Sequence, residues 1–342
     1  MTDPGHKGSR PPFAKRTPAA DFQPLGDRLE SLYRLYGPET VATDPILFVG
    51  RYASAEDREV AGWIATAFAY GQVRTIQTSV AKILGALGPR PAATLDALGA
   101  AGDFRRFAED AFPDFRHRFH GARDAAALLL AIARAREAGR GTLRAFFERE
   151  FRVEDRDAGG LLSRVVARIE AFDYRPALGT RRIPAGSAVR FFFPDPASGS
   201  ACKRWNLYLR WMVRHDALDF GLWTGIPTDR LVVPTDTHIH RIARRLGLTR
   251  RRTAGWKTAR EITDALARFD PVDPVRFDYA LCRIGILDIC RPRLSESRCP
   301  ECAVRDGCRA GRRRGAGEVA GLSATPGAAA AASAGIKLPS CA

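Results

Sequence analysis

Two stretches of this chain carry residues whose types and spacing can do chemistry. Cys290, Cys299, Cys302 and Cys308 follow the pattern C-x8-C-x2-C-x5-C. A Cys-x2-Cys pair lets two thiolates meet one centre across a tight turn, and two further thiolates close a four-sulfur shell. Such a shell suits zinc or an iron–sulfur cluster; the plain alternative is four unrelated cysteines. Arg291, Arg293 and Arg298 lie within the loops, where they offset the negative charge of a thiolate shell. Cys202, Cys282 and Cys341 stand apart, and Cys282, in a mostly apolar helical run, reads as a core residue.

The second stretch is Thr235-Asp236-Thr237-His238. It precedes a helix whose apolar positions are Ile239, Ile242, Ala243 and Leu246, and which Gly247 ends. Asp236 therefore falls at or beside the N-cap. The plain reading is a capping aspartate. The chemical reading is a carboxylate held rigidly beside free backbone N–H groups, which keep it ionised even when partly buried. Such a group can stabilise a developing cation on a sugar or help deprotonate a water. His238 and His240 are i, i+2 and share no helix face, so they make a poor metal pair. His238 is a candidate contact to phosphate or substrate.

Helical spacing accounts for most of the chain that must position these groups. A helix is expected over 25–36. The segment ASAEDREVAGWIATAFAYGQVRTIQTSVAKILGAL carries two helical patterns, Val60/Ile64/Phe68 and Ile76/Val80/Ile83. They join at Tyr70-Gly71-Gln72, where Gly71 can act as a C-cap. Ser54 with Asp57 is a weaker form of capping box. Further helices are expected over 124–136, from 142 onward, and over 161–172. The run FPDFRHRFHG interleaves aromatics with Arg116, Arg118 and two histidines, to face phosphates or close a core edge. Residues 181–200 read as an extended connection. In the helix of SACKRWNLYLRWMVRH, Trp205, Leu209, Met212 and Val213 pack while Lys203, Arg204, Arg210 and Arg214 project elsewhere. Almost nothing alternates with period two, so the fold reads as all-α.

A chain of 342 residues can form one large domain or two lobes. Its formal charge of +16 and pI of about 10.2 suggest a polyanion partner, or the solubilising excess of an Arg-rich proteome. The apolar runs are too short or too interrupted to span a membrane. The first residues lack the apolar core of a signal peptide, so a cytoplasmic, reducing location is expected. There, clustered cysteines favour a metal site over disulfides. Residues 1–20 are basic and Pro-rich, and the segment beyond Cys308 is Arg-rich, then Ala-, Gly- and Ser-rich; both are expected to be disordered.

The order VPTDTHIHRIARRLGL, then a helix, then the four cysteines resembles the helix-hairpin-helix DNA glycosylases of the endonuclease III type. The phrases AEDREVAGWIATAFAYGQ, FRHRF, GSACKRWNLYLRWMVR, LDFGLW, PTDTHIHR and DPVRFDYALCRIG resemble a bacterial family of unassigned function related to them. The resemblance covers roughly 25–308. It implies an all-α, two-lobed fold with a C-terminal four-cysteine cluster loop. One discontinuous lobe would join 25–50 to 171–289 and carry the acid. The other would span 55–170, with the cluster loop at 290–308 and tails at 1–20 and 309–342. Asp236 matches the motif position of the catalytic aspartate, and Lys203 lies on the preceding helix, where bifunctional members carry a Schiff-base lysine. Cys290, Cys299, Cys302 and Cys308 match the ligands of a [4Fe-4S] cluster, which the resemblance favours over zinc. Gln72 resembles a polar residue near the opened base pair.

The implied partner is DNA, double-stranded, gripped by Arg116, Ser200, Arg204, His238, Arg293, Arg298 and Arg305, with the protein a monomer. Trp63, Tyr70, Trp205 and Trp223 are candidate stacking residues. The implied function is excision of a flipped damaged base, with strand cleavage through Lys203. The alternatives are an inactive iron–sulfur nucleic-acid-binding protein of the same fold, or a redox-responsive structural protein. The sequence departs from these relatives at the hairpin. Their Leu-Pro-Gly-x-Gly turn is replaced by Ala197-Ser198-Gly199-Ser200-Ala201-Cys202, and the Lys203-to-Asp236 separation is longer.

Overall fold

Helices dominate the computed structural model, which describes residues 23–315. In chain order they are α1 (Gln23–Leu35), α2 (Ala55–Ala67), α3 (Val73–Leu87), α4 (Pro91–Ala101), α5 (Phe104–Ala111), α6 (Ala122–Ala138), α7 (Leu143–Glu148), α8 (Ala158–Ala171), α9 (Arg175–Leu178), α10 (Lys203–Val213), α11 (Thr237–Leu246), α12 (Trp256–Leu266), α13 (Asp278–Ile286) and α14 (Arg309–Gly315). Short 3-10 turns join several of them. The expected tails lie mostly outside the described residues, as does Cys341. Residues 309–315 depart from that expectation by forming α14.

The fold is mostly helical rather than wholly so. Between α5 and α6 a two-residue pair, β1 (Arg116–His117) and β2 (His120–Gly121), runs antiparallel with Arg116 opposite Gly121 and His117 opposite His120. Four residues in FRHRFH alternate in and out of the core, too few for a periodicity argument to register.

Local chemistry sets the helix starts. Ser54 caps α2 by accepting from the Asp57 N–H. The capping box is only half formed, because the Asp57 carboxylate accepts from Ser54 Oγ at 2.6 Å and from the Ala92 N–H at 2.9 Å. Helix α2 also stops earlier than expected, at Ala67. The Phe68 ring is drawn into a cluster with Phe115, His117 and Phe192, which turns the chain. Gly71, with φ +94°, serves the loop that follows rather than the helix end.

Helix α6 is buried on nearly every side and is enclosed by α4, α5, α7 and α9, as its ALLLAIA run demands. Helices α2 and α10 cross closely. A Cβ at Gly62 would meet the Met212 methyl at 2.8 Å, so glycine is what permits this approach. Around the crossing Trp63, Phe147, Trp205, Tyr208 and Trp223 pack mostly edge-to-face. All three tryptophans belong to the core, which removes them as stacking residues.

A buried carboxylate ties this core to α7. Glu59, 2% exposed, accepts from the Leu143 N–H (2.7 Å), the Arg144 N–H (2.9 Å) and the indole N–H of Trp223 (2.7 Å). Burial pushes its carboxyl above the usual range, while these donors pull the other way. Glu59→Gln keeps the shape but turns an NH2 toward a backbone donor. It is expected to cost about 1–3 kcal/mol, read as a lower urea midpoint with an unchanged slope; an unchanged midpoint would show that these bonds contribute nothing net.

Arg210 and Arg214 do not project to solvent. They are 2% and 3% exposed. Arg210 bonds Asp219 at 3.2 Å and Asp278 at 2.6 Å. Arg214 bonds Asp273 at 2.8 Å, Asp216 at 2.9 Å and also Asp219. Acids from three other segments turn this face of α10 inward, which explains how charges at these positions are buried at all.

Candidate active site and cysteine loop

The segment Leu231–Pro234 is buried and extended and delivers Asp236 to the start of α11. Asp236 is the N-cap. Its Oδ1 accepts from the His238 and Ile239 N–H groups, both at 2.9 Å. Its Oδ2 lies 3.2 Å from Lys203 Nζ, at the first position of α10. The aspartate thus caps with one oxygen and presents the other to an ammonium. Lys203 keeps 32% of its side chain exposed and Asp236 19%, so water reaches the pair.

The electrostatics of the two groups agree. Burial alone pushes Asp236 up, but the Lys203 ammonium, the Ile239 N–H and His238 outweigh it and hold the carboxyl below its ordinary value. Burial alone pulls Lys203 down, but the Asp236 carboxylate, with help from Asp278, raises its affinity for the proton. The resting pair is a carboxylate and an ammonium.

The start of α10 also anchors the loop after α2. Lys203 Nζ donates to the Ala69 carbonyl at 3.4 Å, and Arg204 donates to the Ala67 carbonyl at 3.1 Å and to the Phe191 carbonyl. The Arg204 guanidinium sits 4.0 Å over the Phe191 ring. Gln72, next along this loop, caps α3 with its backbone while its side chain is exposed. Tyr70 bonds His120 Nδ1, whose Nε2 meets the Ala188 carbonyl at 2.9 Å. His117 meets Ser79 Oγ at 2.8 Å and the Tyr70 carbonyl at 3.0 Å. Burial pushes both histidines down, His120 to about 4, so they are neutral struts of the β1–β2 hairpin. Its exposed tip, Arg118-Phe119, and Arg116 face solvent.

The connection before α10 turns at Gly199, φ +85°, and again at Cys202, φ +46°. Ser200 Oγ accepts from the Cys202 N–H at 3.2 Å. Cys202 itself is buried, its thiol against the Pro194 carbonyl.

Helix α11 reaches the cysteine loop at its other end. Arg245 donates to Cys290 Sγ at 3.0 Å, to the Arg291 carbonyl at 2.7 Å and to the Pro292 carbonyl at 2.8 Å. Arg241 donates to the Cys290 carbonyl at 2.8 Å. The Gly311 N–H donates to Cys308 Sγ at 3.4 Å. Cys302 is pushed up to about 11, by burial first, and Cys290, Cys308 and Cys299 add to the shift, so the four sulfurs lie within electrostatic reach of one another. Among the described residues no three His, Cys, Asp or Glu side chains converge tightly enough for one metal ion. Donors aimed at sulfur suit a thiolate-bound centre.

The candidate phosphate contacts divide. Arg293 and Arg298 pair with Glu296 at 3.2 Å and Glu301 at 2.7 Å on an exposed surface, and Arg305 is half-buried in the cysteine loop. His238 is half-buried, with Arg241 at 3.1 Å from its Nδ1. Sequence reasoning missed Arg245, a stronger partner of the cysteine loop than the arginines inside it, and Asp278, which lies within electrostatic reach of both Asp236 and Lys203.

No helix among the described residues is long and apolar enough to cross a membrane. No solved structure matches the chain. Endonuclease III of Thermotoga maritima is 37% identical over 101 residues, 29% of this chain; the chain spans 42% of the length of that relative. The helical fold is consistent with the helix-hairpin-helix glycosylase-like superfamily. Residues 44–287 match the family described as protein of unknown function (DUF2400), and with that span the chain belongs to it.

Proposed function

We propose that this protein is a DNA glycosylase-like enzyme that cleaves the N-glycosidic bond of a nucleotide turned out of a duplex. The observation that carries the reading is the double duty of Asp236. One oxygen is fixed by the α11 N-terminus and the other faces the Lys203 ammonium, in a partly exposed site where the carboxylate can meet a developing charge. The partial identity to endonuclease III supports the same reading.

In this reading the exposed Gln72 side chain and the β1–β2 tip meet the opened duplex, and Arg116, Ser200, Arg204 and His238 line the approach to phosphates. As the base leaves with the bonding electron pair, Asp236 stabilises the positive charge at the sugar carbon. A water then adds there and loses its proton. Lys203 can replace that water only after giving up its own proton, because the resting ammonium has no lone pair. With the proton gone, Nζ adds to the sugar carbon; the bond from that carbon to the ring oxygen then breaks as the oxygen takes up a proton from the nitrogen, and the resulting imine permits strand cleavage by elimination.

The test is a panel of duplex oligonucleotides, each with one damaged base or an abasic site, scored for base release and strand scission. Release from at least one substrate is expected. Binding with no product from any of them would leave the second reading, a nucleic-acid-binding protein in which the Lys203–Asp236 pair is structural. The tightness of that resting pair is the observation in its favour.

Cys290, Cys299, Cys302 and Cys308 are proposed to hold a [4Fe-4S] cluster, which would lock the loop against α11 through Arg245. Anaerobic purification with iron and sulfide assays is expected to give both elements in equal amounts. One zinc per chain without sulfide would refute the cluster.

A further inference from the structure

Behind the Asp236–Lys203 pair lies a second, fully enclosed carboxylate. Lys203, Asn206 and Arg210 follow one another on α10 at spacings of three and four, which places them along one face. Asp278 and Cys282 are four apart on α13 and share a face in the same way. The 2.6 Å bond between Arg210 and Asp278 brings these faces together. Asp278 is 3% exposed and uses only Oδ2 in that bond. Its Oδ1 is buried with no hydrogen-bond partner among the described residues, and so are Asn206 Oδ1 and Arg210 Nη2. These three atoms lie on the facing sides of α10 and α13.

We propose that Asp278 is a positioning residue of the Asp236–Lys203 site, a second carboxylate that holds Lys203 as an ammonium and sets when its amine is released. The proposal rests on the site reading given above. Burial pushes the Asp278 carboxyl up to about 6; Arg210 opposes this, Asp236 adds to it, and Lys203 opposes it. Asp278 is in turn among the groups that raise Lys203. The surrounding charges are accounted for on every side. Arg210 is shared with Asp219 and is also within reach of Asp44. Arg276, in the turn before α13, is engaged with Glu30 of α1 and with Asp270. Asp236 and His238 come from the start of α11. The sign follows: ionised Asp278 favours the ammonium, and neutral Asp278 favours the free amine.

Reductive methylation with formaldehyde and cyanoborohydride tests this without DNA. An unprotonated amine adds to the aldehyde carbon, water leaves, and hydride from the borohydride reduces the C=N bond. Labelling of each lysine is read by peptide mass spectrometry, with the exposed Lys82 and Lys257 as internal references. Asp278→Asn is expected to raise Lys203 labelling relative to these references at neutral pH, because a carboxylate that favours the ammonium is gone. An unchanged ratio in a folded variant overturns the proposal. Should the variant fail to fold, the wild type decides: its Lys203-to-reference ratio is expected to fall as pH rises through about 6. A ratio flat across that range overturns the proposal. Neither readout depends on glycosylase activity, so the two ideas fail separately.

Discussion

Asp236→Asn should lower single-turnover base release by about 10²–10³-fold, the scale on which removing one electrostatic partner of a transition state acts. The substitution separates the two jobs of this residue. Asparagine is a good N-cap, so its side-chain oxygen can keep both bonds to the His238 and Ile239 N–H groups. The unfolding midpoint should stay close to wild type. What is lost is the negative charge beside the reacting sugar. The new NH2 also faces Lys203, which no longer gains a proton-binding partner and therefore titrates lower. Trapping of Lys203 on a ready-made abasic site by borohydride should then fall less than base release does, because that step needs the amine more than the carboxylate. Equal base release by the two proteins would remove Asp236 from catalysis. A collapse in thermal stability would mean that the ion pair with Lys203, the interaction this substitution removes, is structural.

Which parts were readable beforehand follows from how local their causes are. The Asp236 cap is visible because Asp, four apolar positions at helical spacing and Gly247 all lie within a dozen residues. Most helices were placed for the same reason, with ends displaced by a few residues. The premature end of α2 was not visible, because the Phe68 ring answers to Phe115 and Phe192, far along the chain. Arg210 and Arg214 read as projecting away from the packed face of their helix, and arginine is seldom buried. The rule fails where acids from separate segments converge, and spacing within α10 cannot show that. The meeting of Lys203 with Asp236 is a tertiary contact of the same kind. The resemblance puts Lys203 on the helix before the acid, but only the tertiary fold, which brings the starts of α10 and α11 together, sets the 3.2 Å separation. The tryptophans were ambiguous because a large aromatic at helical spacing serves a core and a stacking platform equally well.

Arg210→Met should be strongly destabilising, at about 3–5 kcal/mol. The reason is what remains. Methionine fills much of the arginine's volume, but Asp219 and Asp278 are left buried with one cation fewer between them. Arg214 can still serve Asp219; Asp278 has only the more distant Lys203. An exposed pair such as Arg106–Asp110 makes the contrast, since its loss should cost at most about 1 kcal/mol. Burial already holds Asp278 at about 6 with Arg210 present, and removing the guanidinium pushes it higher. A carboxyl whose folded-state pKa lies above its unfolded value costs stability above that pKa, and the cost is relieved as pH falls and the folded protein binds the proton. The deficit of Arg210→Met relative to wild type should therefore shrink on acidification, and Asp278→Asn added to it should recover part of the loss at neutral pH. Urea unfolding of the four proteins of this cycle at two pH values measures both effects. A deficit that does not change with pH, together with strictly additive single and double variants, would mean that Arg210 contributes by packing alone and that the buried carboxylate beside Lys203 carries no charge worth balancing.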